Sequence, residues 1–216
     1  MSKKIVLDLF SGLGGFSSAL DADDDYEVTT VDIEDKFDPD ITADVLDLRW
    51  QDLPDADIIL ASPPCTAFTV LRIGDCWSTD DKQIIHPIDD FARTSLMLVH
   101  HTVGLIKAID PDWWIIENPM GMLRKVWRLP DYHVWYCQYG AGYAKPTDLW
   151  GRLPPSFEPK RCKNGNPFCD HARAGRGVKN GVQGLSNSAE RAKVPAQLSE
   201  SIKRSIEHPE PIQQTL

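Results

Sequence analysis

The sequence predicts a doubly wound α/β fold whose sheet is mostly parallel. Three observations predict it. Short apolar runs, rich in β-branched residues, recur at 3–9, 26–31, 57–61 and 113–116, the length and composition of strands covered on both faces. Between the last two, Leu96, Val99, Val103 and Ile106 recur at helical spacing within residues 91–109. The first run passes directly into a glycine-rich turn and a short helical stretch, the strand–turn–helix unit from which parallel sheets are wound.

Taken in order, Lys3-Lys4-Ile5-Val6-Leu7-Asp8-Leu9 is the first expected strand and residues 16–20 the short helix after it. The second strand, 26–31, ends at Asp32. Residues 33–54 are acidic, with a short element expected around Ala43-Asp44-Val45-Leu46. Residues 57–61 form a strand that stops at Ser62-Pro63-Pro64-Cys65. Each proline there fixes its own φ and extends the residue before it. Residues 66–90 carry no clear period and read as a long loop, a length usually functional or disordered. After the 91–109 helix, Trp113-Trp114-Ile115-Ile116 reads as a buried strand leading into Glu117-Asn118-Pro119. Alternation over 133–139 and the run 145–150 predict two more strands. Residues 151–187, rich in Pro, Gly, Asn and charge, read as irregular structure, and 194–206 as a closing helix with Pro195 near its first turn.

A length of 216 residues fits one domain with a small appendage and suffices for a sizeable core. No apolar run is long enough to span a bilayer. The first residues run straight into a strand without the apolar stretch and cleavage site of a secretion signal. Five scattered cysteines do not make a disulfide framework, so a reducing, cytoplasmic setting is expected. The net charge of −9 is unevenly spread: residues 1–150 carry 12 Lys/Arg against 26 Asp/Glu, whereas residues 151–193 carry 9 against 3. An acidic body with one basic segment fits a polyanion touching it in one place, and equally a solvated basic loop.

Cys65 lies just past a strand end, and ligands of α/β sheets sit outside the carboxyl ends of strands. A thiol there suits nucleophilic chemistry; alone, it reads as a small apolar residue in a proline-rich turn. The turn Phe10-Ser11-Gly12-Leu13-Gly14-Gly15 lets the backbone approach a ligand closely, and the following helix offers free N–H groups. Asp32, about twenty residues on, can accept hydrogen bonds from ribose hydroxyls. The glycine spacing is not that of a dinucleotide fingerprint.

Together these pieces resemble the cytosine-C5 DNA methyltransferase family. Phe10-Ser11-Gly12-Leu13-Gly14-Gly15 and Pro63-Pro64-Cys65 look like its two best-known motifs, Glu117-Asn118-Pro119 like its Glu-Asn-Val motif, and Ala43-Asp44-Val45 like its short acidic motif near the cofactor adenine. Residues 191–198, with Val194-Pro195, are similar to the closing motif that returns to the cofactor pocket. The motifs follow in the family's order and the resemblance covers 5–150 and 188–206. Thr66 stands where the family usually has Gln, and Lys145-Pro146-Thr147-Asp148 where it has a Gln/Arg-rich segment. Residues 151–187 are too short for a full target-recognition domain, a compact form that resembles those of phages and mobile elements.

The resemblance implies a Rossmann-like S-adenosylmethionine-dependent methyltransferase fold, with a catalytic core at 1–150, a short basic recognition-like insert at 151–187 and a C-terminal helix in 188–216 that returns to the core. It implies S-adenosylmethionine as cofactor, DNA as partner, and covalent catalysis on a flipped-out cytosine. Cys65 attacks C6 as the thiolate and Glu117 hydrogen-bonds the base. Phe10, Ser11, Gly12, Leu13, Gly14, Gly15, Asp32, Asp44 and Pro63 are expected at the cofactor. Pro64, Asn118, Lys145 and Thr147 are expected at the substrate, the last two as substitutes for the missing Gln/Arg segment. The thiol is expected to be acidified by a nearby positive charge, for which Arg72 and Lys145 are candidates. The 66–90 loop, with Arg72, Trp77 and Lys82, is a candidate cover for the base, although Trp77 reads better as loop packing.

Within the basic segment, Lys160, Arg161, Lys163, Arg173, Arg176 and Lys179 are candidate phosphate contacts. Cys162, Cys169 and His171 offer three zinc ligands, but a fourth is not near in sequence and the Cys spacing is wider than in the usual knuckle. Otherwise the stretch reads as an ordinary loop. His100 and His101 fall within the helix pattern, and His86 and His133 show no partner. Two alternatives keep the chemistry but change its setting: RNA, single-stranded DNA or a free nucleotide as substrate, or a catalytic chain that needs a partner for recognition. A binding module without activity is a third, disfavoured by the presence of both Cys65 and Glu117.

Overall fold

The structure is a computed structural model that describes residues 2–172 and 188–210. Its sheet has seven strands: β1 (Lys4–Leu9), β2 (Tyr26–Asp32), β3 (Ile41–Thr42), β4 (Ile58–Ala61), β7 (Trp113–Pro119), β8 (Tyr132–Trp135) and β9 (Pro146–Arg152). A separate hairpin pairs β5 (Trp77–Thr79) with β6 (Ile85–Pro87). The helices are α1 (Ser18–Asp21), α2 (Ile73–Cys76), α3 (Asp90–Ile109), α4 (Leu123–Val126), α5 (Ser188–Ala192) and α6 (Ala196–Glu207).

Across the sheet the order is β3-β2-β1-β4-β7-β9-β8. Every pairing from β3 to β7 is parallel, and β9 alone runs the other way, antiparallel to β7 on one side and β8 on the other. The chain steps outward from β1 through β2 to β3 on one side and from β4 to β7 on the other, so the crevice at the carboxyl ends of β1 and β4 is where a ligand is expected. This is the doubly wound, mostly parallel sheet that the alternation of strands and helices predicts.

Neighbouring residues of the central strands face opposite layers. Leu7, Leu9, Ile59, Ala61 and Ile116 pack beneath α3, with Phe68, Trp77 and Trp150. Val6, Ile58, Leu60, Ile115 and Leu149 pack with Leu20 of α1 and Leu198, Ile202 and Ile206 of α6. Both faces are covered, which explains why these strands read as continuous apolar runs rather than alternating ones. α3 starts where the Asp89 side chain accepts from the Ala92 N–H at 2.8 Å and stops at Asp110, whose φ of 54° lies in the left-handed region. In α6 the i, i+4, i+8 spacing of its three apolar residues forms one buried stripe, each worth about 2 kcal/mol.

Three expectations need correction. Residues 66–90 are not a bare loop: they hold two short 3₁₀ turns, α2 and the β5/β6 hairpin. Each piece is too short to show a period, and the segment is organised by Trp77, whose buried indole donates to the Ala67 carbonyl at 2.7 Å and stacks on Phe68. Trp77 therefore packs the loop, and is not exposed to cover a base. The strand expected over 133–139 ends at Trp135, where a 3₁₀ turn over Tyr136–Tyr139 takes over and closes at Gly140, with φ of 87°. α5 was not foreseen, because five residues of mixed polarity carry no periodic signal. Residues 152–172 contain no helix or strand beyond the end of β9, as their composition predicts. Arg173, Arg176 and Lys179 lie outside the described residues.

Candidate active site

The glycine turn leaves β1 through Phe10, whose φ of 61° is in the left-handed region, a strained place for an aromatic residue. Gly12 and Gly14 follow with φ of 50° and 64°, and a Cβ on either would meet open space. The turn is thus shaped by backbone conformation and borders open space. Gly15 is different: a Cβ there would lie 2.5 Å from the Val194 carbonyl, so the closing segment sits directly on the turn. Ser199 of α6 strengthens that contact, donating to the Phe16 carbonyl at 2.7 Å and accepting from the Ala19 N–H at 3.1 Å.

Asp32 ends β2 beside this turn. Its Oδ2 accepts from the Gly12 N–H at 2.8 Å and its Oδ1 from the Glu34 N–H at 2.9 Å. The carboxylate therefore sets the turn's shape, and each oxygen keeps a lone pair for a further donor. Asp44 caps the 3₁₀ turn over Val45–Asp47, accepting from the Leu46 N–H at 2.9 Å. Ser11 and Leu13 lie in the same turn, with Leu13 40% exposed at its tip. Below them, Asp8 is fully buried; Ser17 donates to its Oδ2 at 2.6 Å and its Oδ1 has no partner among the described residues.

Burial pushes the Asp8 carboxyl up from 3.8 to about 7, against the opposing Ser17 hydrogen bond. The folded chain therefore keeps a proton that the unfolded chain releases between these values. Its contribution to stability is full below pH 3.8 and is lost as pH rises to about 7. At about 1.4 kcal/mol per pKa unit, the loss is on the order of 4 kcal/mol. Asp8→Asn cannot ionise and is expected to lack this slope and to exceed the wild type in stability above about pH 7. Urea denaturation across pH checks it; parallel curves for the two proteins would contradict it.

The second half of the site gathers on the same sheet edge for a topological reason. β4 and β7 are parallel, so Cys65 after β4 and Glu117 near the end of β7 arrive side by side. β9 runs the opposite way, with Thr147 paired to Pro119 and Leu149 to Glu117, so Lys145 at its start reaches the carboxyl ends of the others. Lys145 Nζ stands 3.7 Å from Glu117 Oε1, 4.3 Å from the Tyr136 ring centre, and donates to the Arg191 carbonyl at 3.2 Å. Tyr136 donates its hydroxyl to the same Oε1 at 2.7 Å. Asn118, buried, donates to the Pro63 carbonyl at 3.0 Å and so fixes the Pro63-Pro64 turn, while its Oδ1 and the Ser62 hydroxyl stay unpartnered among the described residues. Thr147 is buried beside them.

Cys65 is partly exposed at the start of the 3₁₀ turn over Thr66–Phe68. Burial pushes its thiol up; Lys145 pulls it down, Glu117 raises it and Arg191 lowers it. The expected acidification is thus overturned: desolvation outweighs the cations that face the sulfur. Of the two candidate cations, Lys145 faces it, whereas Arg72 lies 3.8 Å from Asp75. Burial first, and the Glu117 carboxylate second, hold the Tyr136 phenol well above 10, which keeps it a hydrogen-bond donor.

Sequence reading missed Tyr136 and the approach of Arg191 to Cys65, since neither belongs to a local motif at the sulfur. It also missed a partner for His133, which contacts Asp148 at 2.9 Å while Arg124 pairs with both oxygens of that buried carboxylate. His86 contacts Asp80 at 3.0 Å and His101 the Leu48 carbonyl at 3.0 Å. Away from this edge, Cys162, Cys169 and His171 are joined by Cys137, a fourth donor from the turn before Gly140; the four ligand atoms lie within 4.8 Å of one another and could hold a metal ion. No helix among the described residues is long and apolar enough to cross a membrane.

Residues 5–128 match the family described as C-5 cytosine-specific DNA methylase, a span that includes the glycine turn, Cys65 and Glu117. The chain is 34% identical over 166 residues to a protein of Frog virus 3 (isolate Goorha) named "Probable DNA (cytosine-5)-methyltransferase", covering 73% of this chain and 74% of the viral one. Among solved structures it is similar to a "putative DNA modification methyltransferase encoded within prophage Cp" of E. coli, at 20% identity and a TM-score of 0.49, over 74% of this chain. The alignment spans about half (52%) of that protein's length.

Proposed function

The chain belongs to the C-5 cytosine-specific DNA methylase family, and from that premise we propose that it methylates C5 of cytosine in DNA. The observation that carries the reading is the convergence of Cys65, Glu117 and Lys145 on one edge of the sheet, next to an open glycine turn. The family implies S-adenosylmethionine as methyl donor. The residues fit it: the open space at Gly12 and Gly14, the Asp32 carboxylate and the unpartnered buried oxygens of Asp8 and Ser62 gather near the carboxyl ends of β1, β2 and β4. Bound there, the cofactor supplies an activated sulfonium methyl. Phe10 to Gly15, Asp32, Asp44 and Pro63 would hold it.

The protein's own residues act on the base. Cys65 adds as thiolate to C6 and turns C5 into an enamine-like nucleophile. Tyr136 and Lys145 both meet Glu117 at Oε1, which leaves the second oxygen to accept from the amino group of the base, and from the ring nitrogen once it takes up a proton from solvent as Cys65 adds. Lys145 beside that carboxylate also attracts the thiolate. Asn118 holds Pro63-Pro64 and with it the approach to the sulfur. After C5 has taken the methyl group it gives up its proton to solvent water, and Cys65 leaves as thiolate as the C5–C6 double bond re-forms. The exposed Lys160, Arg161 and Lys163 supply sequence-independent grip on phosphates.

Because burial raises the thiol, methyl transfer at saturating substrate is expected to rise with pH through the neutral range, about tenfold per unit while the thiolate remains the minor form. Lys145→Met removes the cation that opposes that rise, so its profile is expected to shift to higher pH. Pre-steady-state rates across pH measure this; an unshifted profile in the variant would contradict it.

A second reading follows from the shortness of 151–187: recognition is supplied by a partner chain, or the substrate is RNA, single-stranded DNA or a nucleotide. Transfer of labelled methyl groups to duplex DNA, single-stranded DNA, RNA and dCMP separates these. The proposal expects 5-methylcytosine in duplex DNA, and bisulfite sequencing then gives its context. Transfer confined to RNA or dCMP would overturn it. Action in the cytoplasm is part of the proposal, in keeping with free thiols at Cys65 and Cys76.

A further inference from the structure

We propose that Cys137, Cys162, Cys169 and His171 form a structural zinc site that clamps the segment after β9 to the turn carrying Tyr136. Three thiols and an imidazole make a closed tetrahedral set with no open position, the chemistry of structural rather than catalytic zinc. Zn–S bonds of about 2.3 Å and Zn–N bonds of about 2.0 Å give tetrahedral edges of roughly 3.5–3.8 Å. Here the four donor atoms lie within 4.8 Å of one another, with Cys162 Sγ 4.0 Å from His171 Nδ1. A small contraction completes the tetrahedron.

Side-chain amides already face two of the sulfurs. Gln138 Nε2 donates to Cys169 Sγ at 3.3 Å and Asn166 Nδ2 to Cys162 Sγ at 3.4 Å. Such donors stabilise thiolates and orient metal ligands. The Gly165 N–H lies 3.2 Å from His171 Nε2; metal binding at Nδ1 places the ring proton on Nε2, so that one contact must turn away. Two features make the clamp consequential. Residues 153–171 hold no helix or strand; Leu153 and Phe157 anchor their start in the core, and beyond Lys160, whose carbonyl accepts from the Trp135 N–H, the Cys/His cluster is what joins them to the turn at Cys137. Cys137, at the other end, follows Tyr136, whose hydroxyl holds Glu117. Metal at this site would tie the basic segment to the turn that carries Tyr136 and, through its hydroxyl, to Glu117. A disulfide between two of the three cysteines is the competing arrangement; it strands the third thiol and leaves the imidazole without a role. The site does not depend on the reaction proposed above.

The full chain, expressed without a histidine tag and purified under reducing conditions, is expected to carry one zinc per molecule by elemental analysis. After chelator stripping, Co²⁺ titration should saturate at one equivalent with the intense visible bands of tetrahedral thiolate coordination. Cys137→Ser should lower bound zinc by about tenfold or more, the scale of a damaged site, while Cys65→Ser keeps it. Metal-free protein that takes up no Co²⁺, mass-spectrometric detection of a disulfide involving Cys137, or full zinc retention in Cys137→Ser would each overturn the proposal. If Cys137→Ser does not fold, the Co²⁺ titration of the wild type decides.

Discussion

Cys65→Ser is expected to abolish methyl transfer, lowering the single-turnover rate by about a thousandfold or more, because a hydroxyl at this place cannot supply the nucleophile that a thiolate can. The fold should be indifferent to the change. The sulfur holds no element together; it stands at the mouth of a turn whose shape is set by Pro63, Pro64 and the Asn118 amide. Cofactor affinity and DNA affinity should therefore remain near wild type while the chemistry disappears. Residual transfer at more than a few per cent of the wild-type rate would mean that another group attacks the base.

Glu117→Gln is the second large effect, a loss of about a hundred- to a thousandfold in turnover, the range for removing a charged group that stabilises a developing charge on a base. The physical setting makes this substitution instructive. Glu117 is buried with Lys145 3.7 Å away and the Tyr136 hydroxyl at 2.7 Å. Neutralising it leaves the lysine with no carboxylate partner among the described residues, and breaking a buried pair in this way costs about 3–5 kcal/mol. Thermal stability should fall along with the rate. The double variant Glu117→Gln with Lys145→Met restores neutrality and should recover stability but not turnover. Recovery of turnover in the double variant would show that the carboxylate served only the lysine.

Much of this architecture was readable from the residues. The apolar runs of β1, β2, β4 and β7 are continuous because both faces are covered, and the helical period of α3 is long enough to be plain. Cys65, Glu117 and the Phe10–Gly15 turn were found because each sits in a contiguous motif at a strand end. What stayed hidden depends on long-range geometry. Tyr136 and Lys145 meet Glu117 only because β9 runs backwards between β7 and β8, a reversal that no local pattern announces. Cys137 is 25 residues from Cys162 in sequence and joins it only when the segment after β9 folds back. The direction of the Cys65 thiol was misjudged for a related reason: neighbouring cations can be guessed from sequence, but desolvation cannot.

The most direct test of the covalent account uses duplex DNA carrying 5-fluorocytosine, incubated with full-length protein and S-adenosylmethionine. Fluorine at C5 cannot leave as a proton does, so after methyl transfer the bond between sulfur and C6 cannot be undone. Peptide mapping by mass spectrometry is expected to find methylated fluorocytosine on Cys65, in a complex that survives denaturation. Methylation of ordinary cytosine in the same DNA with no trapped adduct, or an adduct on a cysteine other than Cys65, would contradict the mechanism.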